Sequence, residues 1–131
     1  MGKSEFSKQT VAQAIIDKIE KDYEPVSIET SLFKNYNNPT KITLQDDDEG
    51  YTPDIKVILK DKTTNLYEIV LKHEYSFDKW KILSSYANEN KGKLIIIVPE
   101  WLLNNLKKSL KDNNLKNIHI IYFQKKKEET D

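Results

Sequence analysis

Residues 51–72 read YTPDIKVILKDKTTNLYEIVLK, and this stretch decides the fold. Over 54–60, Ile55, Val57 and Leu59 fall on one side, while Asp54, Lys56, Ile58 and Lys60 fall on the other. That two-residue alternation is the signature of a strand. Over 66–72, Tyr67, Ile69 and Leu71 face one way and Glu68, Val70 and Lys72 the other. The polar segment 61–65 joins the two runs, so they predict an antiparallel hairpin.

Upstream, Ala12, Ile15, Ile16, Ile19 and Tyr23 recur at i, i+3, i+4, i+7 and i+11, which predicts an amphipathic helix over 7–23. Ser7 or Thr10 would cap it and Pro25 would stop it. Val26, Ile28, Thr30 and Leu32 then alternate with Ser27, Glu29, Ser31 and Phe33, predicting a strand over 26–33. A loop around Asn35–Pro39, a short strand over 41–44 and a self-repelling acidic run at 46–49 follow. Downstream, Ser76 opens a helix reaching about residue 90, with Phe77, Trp80, Leu83 and Ala87 in one stripe and Lys91-Gly92 at its end. A strand is expected over 93–98, and its unbroken apolar run from Leu94 to Val98 suits one covered on both faces. Pro99 would be the first residue of a helix buried through Leu102 or Leu103, Leu106 and Leu110, and broken by Asn113-Asn114. A last strand over 117–123 and a charged, disordered tail over 125–131 complete the chain. The reading is one α/β domain over 1–124, with an antiparallel meander feeding a parallel βαβ unit and helices on a mixed sheet.

Composition narrows the function. The 131 residues suit one domain. Leu, Ile, Val and Phe make up 36 of them, above the share of about one-fifth below which chains stay disordered. No apolar run nears the roughly 18 residues of a membrane span, and residues 1–10 lack the apolar core of a secretion signal. The absence of Cys excludes disulfides and thiolate metal sites, so a cytoplasmic setting is expected. All 21 basic residues are Lys, balanced by 21 acids. Without Arg the chain lacks the planar fork that reads guanine edges, and zero net charge disfavours a broad nucleic-acid footprint. The balance is uneven: 1–100 carries 14 Lys against 17 acids, and 101–131 carries 7 against 4. Three glycines, Gly2, Gly50 and Gly92, build no phosphate-cradling loop.

The hairpin is where chemistry would gather. Asp54 at one strand start faces the end of its antiparallel partner, where Glu68, Val70 and Lys72 share a face. An acid from each strand would hold Mg²⁺, which takes few carboxylates and keeps several waters. An adjacent ammonium would orient or help deprotonate a water, or offset charge on a phosphoryl group. Other clusters are blander. His73 and His119 lie in no ligand spacing, and the run 46–49 lacks EF-hand spacing. Trp80 and Trp101 read first as core anchors, with stacking on a base as the alternative. Lys79, Lys81, Lys91 and Lys93 form either a weak phosphate-facing patch or a wet helix face.

Pro53-Asp54, Lys72 at the end of the next strand, and the helix–strand–helix–strand continuation resemble the PD-(D/E)XK superfamily, the restriction endonuclease-like nucleases. The resemblance covers about 7–123, and 79–87 leading into 94–98 also looks like the region after the motif. It implies a restriction endonuclease-like αβββαβ core with an extra C-terminal helix and strand. It also implies a nuclease acting on DNA phosphodiesters, often as a homodimer, with Asp54 as metal ligand, Mg²⁺ or Mn²⁺ as cofactor and Lys72 as catalytic lysine. The chain departs from the pattern at Val70, where an acid is expected two residues before the lysine. Glu68 replaces it one pleat away, roughly 6.5–7 Å along the strand, and Glu74 is the substitute in the other direction. The first helix carries Gln9 and Gln13 near its start, with Glu5 before it and Glu20 late, where the family places a Glu. Catalytic candidates are therefore Asp54, Glu68 and Lys72, with Asp54 and Glu68 for the metal. The rival reading is an inactive DNA-binding or protein-interaction module on the same fold.

Overall fold

The computed structural model describes residues 7–43 and 50–124. Leu44, the acidic run 46–49, Glu5 and the tail 125–131 lie outside the described residues. The elements run α1 (Lys8–Asp22), β1 (Pro25–Glu29), β2 (Ile55–Leu59), β3 (Thr64–Ile69), α2 (Phe77–Glu89), β4 (Leu94–Pro99), α3 (Glu100–Asp112) and β5 (Ile118–Phe123). The five strands form one sheet in chain order. β1, β2 and β3 pair antiparallel, whereas β3, β4 and β5 are parallel and connected through α2 and α3. This is the mixed α/β architecture expected from the alternation of periods. Among the described residues no helix is long and apolar enough to cross a membrane.

The strand alternation sorts the core into two layers. Ile55, Val57, Tyr67, Ile69, Ile95 and Ile97 pack against Val11, Ala12, Ile16 and Ile19 of α1. On the opposite face, Leu66, Val70, Leu94, Ile96 and Val98 pack against Trp80, Leu83 and Ala87 of α2 and Leu102, Leu106 and Leu110 of α3. β4 is buried throughout because helices cover both its faces. At the start of α1 the Ser7 hydroxyl accepts from the Thr10 N–H at 3.1 Å, satisfying an orphan helix donor.

Several boundaries differ from the sequence reading, each for a local reason. The strand expected over 26–33 stops at Glu29. Thr30 turns its hydroxyl inward, donating to the Asp54 carbonyl at 2.7 Å and accepting from the Leu32 N–H at 3.2 Å, a local turn that competes with the ladder. In place of the strand over 41–44 there is a single bridge between Ile42 and Tyr51. β3 lies two to three residues earlier than expected. Its start is pulled in by hydrogen bonds from the Thr64 and Leu66 N–H groups to Asn90 and Lys93. Its end follows from the loss of β2 as a partner beyond Asp54. Pro99 closes β4 and caps α3 rather than opening the helix, which begins at Glu100. Trp80 is the expected core anchor at 1% exposure, but Trp101 is 65% exposed.

Candidate functional site

The β2–β3 register pairs Ile55 with Tyr67, so Asp54 and Glu68 meet one step further, where the ladder ends. The Asp54 N–H donates to both the Tyr67 carbonyl and Glu68 Oε2, each at 3.1 Å. The Asp54 carboxylate takes over the missing strand position: Oδ2 accepts from the Ile69 N–H at 2.8 Å, and Oδ1 lies 3.3 Å from Lys8 Nζ at the start of α1. Glu68 points to the α2 side, where Oε1 accepts from Trp80 Nε1 and from Lys79 Nζ, both at 3.1 Å. The two acids thus share one corner of the sheet, and each carries its own ammonium partner.

Lys72 does not join them. It lies beyond β3 with its side chain 72% exposed, 3.8 Å from Glu74. Val70, two residues after Glu68 on the same face, is buried in the apolar layer under α2. The amine beside the acids comes instead from Lys79, whose side chain is 22% exposed. Sequence reasoning noted Lys79 only as part of a surface patch. The signal for its role was its place next to Trp80, since a residue that buries Trp80 on the sheet draws its neighbour to the sheet's end. In the sequence Glu29 reads only as part of an alternating strand. Its Oε1 is buried without a hydrogen-bond partner among the described residues. Its cross-strand neighbour Lys56 is itself nearly buried, with Nζ 5.5 Å from the Tyr86 ring centre.

Burial, and then the nearby Asp54 charge, push the Glu68 carboxyl above its ordinary value of 4.5, against the opposing pull of Lys79 and Trp80. A carboxyl raised in the folded state holds its proton more tightly there. Its stabilising contribution is complete below 4.5 and is lost as pH climbs through the raised folded value. The stability difference between wild type and Glu68→Gln is therefore expected to move against the wild type as pH rises through that window. Urea unfolding across the range checks this, and parallel pH curves for the two proteins would refute it.

Among the described residues no group of three or more His, Asp or Glu is arranged to hold a metal ion. The pair Asp54 and Glu68 also fits Mg²⁺ poorly as it stands. Each carboxylate oxygen already accepts a donor from the chain, and Lys8 and Lys79 balance the two negative charges. A divalent cation is held by uncompensated oxygen ligands. What this corner does is tie α1, β2, β3 and α2 together through one charged network. No protein-family model, curated protein or solved structure matches the chain.

Proposed function

We propose that the chain is a restriction endonuclease-like domain that binds nucleic acid without hydrolysing it. The helix–three strands–helix–strand order supports the fold assignment, as does the meeting of one acid from each hairpin strand at their shared end. One observation carries the loss of hydrolysis: every oxygen of Asp54 and Glu68 is engaged by an internal donor, while Lys72 stands apart. A nuclease site needs carboxylates free for the cation and an amine aimed at the attacking water.

A second reading, weak Mg²⁺- or Mn²⁺-dependent cleavage, is favoured by the Lys79 ammonium beside the raised Glu68 carboxyl. Asp54 and Glu68 would hold the metal there, provided Lys8 and Lys79 swing away. Plasmid nicking with Mg²⁺ or Mn²⁺, run on wild type, Asp54→Ala and Lys72→Ala, separates the two. Equal background in all three is expected, alongside oligonucleotide binding that weakens steeply with salt. Metal-dependent nicking lost in Asp54→Ala would install the nuclease reading. Failure to bind any nucleic acid at low salt would leave only a protein-interaction role.

A further inference from the structure

We infer that Trp101 and His73 form a stacking platform for the unpaired bases of a single-stranded nucleic acid, an inference that rests on the nucleic-acid-binding reading above. The platform joins the segment after β3 to the first turn of α3. Both lie at the C-terminal ends of the parallel strands β3 and β4, the end of an open α/β sheet where ligands gather.

Trp101 is 65% exposed, an unusual position for the residue with most apolar surface to bury. The rings behind it form a ladder. His73 lies 5.8 Å from Trp101 and 6.1 Å from Tyr75, and Tyr75 lies 5.8 Å from the buried Trp80. The platform is thereby braced against the core through the same Trp80 whose indole N–H holds Glu68. Asn105, one turn along α3 from Trp101, locks the segment to the helix: its Oδ1 accepts from the Tyr75 hydroxyl at 2.6 Å and lies 3.1 Å from His73 Nδ1. A held ring loses little freedom when a base stacks on it, which is what makes an exposed aromatic a productive contact.

Charge and surroundings select the occupant. Trp101, Asn105 and Lys108 recur at i, i+4 and i+7 on one helix face. Among the described residues Lys108 pairs with Asp112, and both are exposed, a pair weak enough to yield to a phosphate. Residues 101–124 carry Lys107, Lys108, Lys111 and Lys116 against Asp112 alone. Glu74 and Glu100, the chain neighbours of His73 and Trp101, repel phosphates and so direct a backbone along α3 toward Lys108. An apolar peptide would want a greasy rim, whereas this indole meets the His73 imidazole and is followed along its helix face by the Asn105 amide and the Lys108 ammonium. With no Arg to fork onto base edges, recognition through this surface is stacking, tolerant of sequence and specific for unpaired bases.

The test uses the full chain and a ten-nucleotide oligo-dT at low salt. Trp80 and Trp101 are the two tryptophans, and Trp80 is buried, so quenching by an added oligonucleotide reports on Trp101, while the anisotropy of end-labelled oligo-dT gives the affinity of wild type and variants alike. Quenching is expected in wild type, and Trp101→Ala should weaken binding by about 5- to 150-fold, with Trp101→Phe restoring most of it. Because Trp101 contributes little to the core, the Ala variant should unfold at the wild-type urea concentration. Binding unchanged by Trp101→Ala, or tighter binding to duplex than to oligo-dT, overturns the platform and leaves the domain reading intact. No binding to either form overturns both. Quenching by a proline-rich peptide but not by oligo-dT assigns the surface to protein instead, and overturns the proposal.

Discussion

Lys79→Met is expected to destabilise the folded chain by about 2–3 kcal/mol near pH 7, and by clearly less near pH 5. The Glu68 side chain is 7% exposed, and Lys79 is its sole ammonium partner among the described residues. Removing that partner leaves a buried carboxylate facing the Asp54 charge with only the Trp80 and Asp54 N–H groups to hold it. Breaking such pairs from one side typically costs about 3–5 kcal/mol. The figure here sits at the lower edge for two reasons. Lys79 keeps partial contact with water, and Glu68 can shed its charge by taking up a proton. Proton uptake is easier in acid, which is why the cost should shrink as pH falls.

Lys8→Met supplies the contrast. Lys8 is 48% exposed and Asp54 14%, at 3.3 Å, so solvent already screens the pair and its loss should stay within about 1 kcal/mol. Chemical denaturation of both variants at the two pH values decides the matter. A Lys79→Met cost that is independent of pH, or no larger than that of Lys8→Met, would mean that Glu68 draws its support elsewhere.

How far this arrangement could be read from the chain depends on how local each relation is. Asp54 and Glu68 meet because they end two strands joined by one short turn, so counting residues across the hairpin was enough to bring them together. The partner amine is a tertiary fact. Lys79 reaches Glu68 across the whole β3–α2 connection, and its position depends on the phase at which α2 docks. That phase is set by burying Trp80, Leu83, Ser84 and Ala87. Lys72 was the nearer amine in sequence, yet the chain leaves the sheet before reaching it. The exposure of Trp101 was legible in principle: Leu102, Leu106 and Leu110 define the buried stripe of α3, and Trp101 stands one residue, about 100°, off it. Reading a tryptophan as core by type alone overrode that spacing. At Thr30, a hydroxyl bonded to the Asp54 carbonyl outweighed an alternating pattern that sequence inspection reads as strand.

Gly92→Ala is expected to be the most damaging single-methyl change in the described chain, at about 3 kcal/mol, the upper end of overpacking costs. The helix α2 ends with the Lys91 N–H on the Asn88 carbonyl and the Gly92 N–H on the Ala87 carbonyl. This is the paired closure in which the left-handed residue is usually glycine. Here Lys91 takes the positive φ of 68°. Gly92 serves a different need, because a Cβ there would sit 1.8 Å from the Thr64 carbonyl oxygen and 2.5 Å from its carbon. Both atoms belong to the backbone of β3, so no side chain can rotate away. Relief requires moving the α2–β4 connection off the strand. That movement breaks the hydrogen bonds from Leu66 N–H to the Lys93 carbonyl and from Lys93 N–H to Asn65 Oδ1. Those bonds set the parallel register Leu66↔Leu94, and with it the placement of Glu68 against α2. Gly50→Ala tests the reasoning from the other side: the nearest atoms to an added Cβ belong to the Lys41 and Thr43 side chains, at 2.7 Å. Both residues are exposed and free to turn, so the cost should stay below about 1 kcal/mol. Equal urea midpoints for the two alanine variants would show that the approach at Thr64 relaxes without consequence, and that the β3–β4 register does not depend on it.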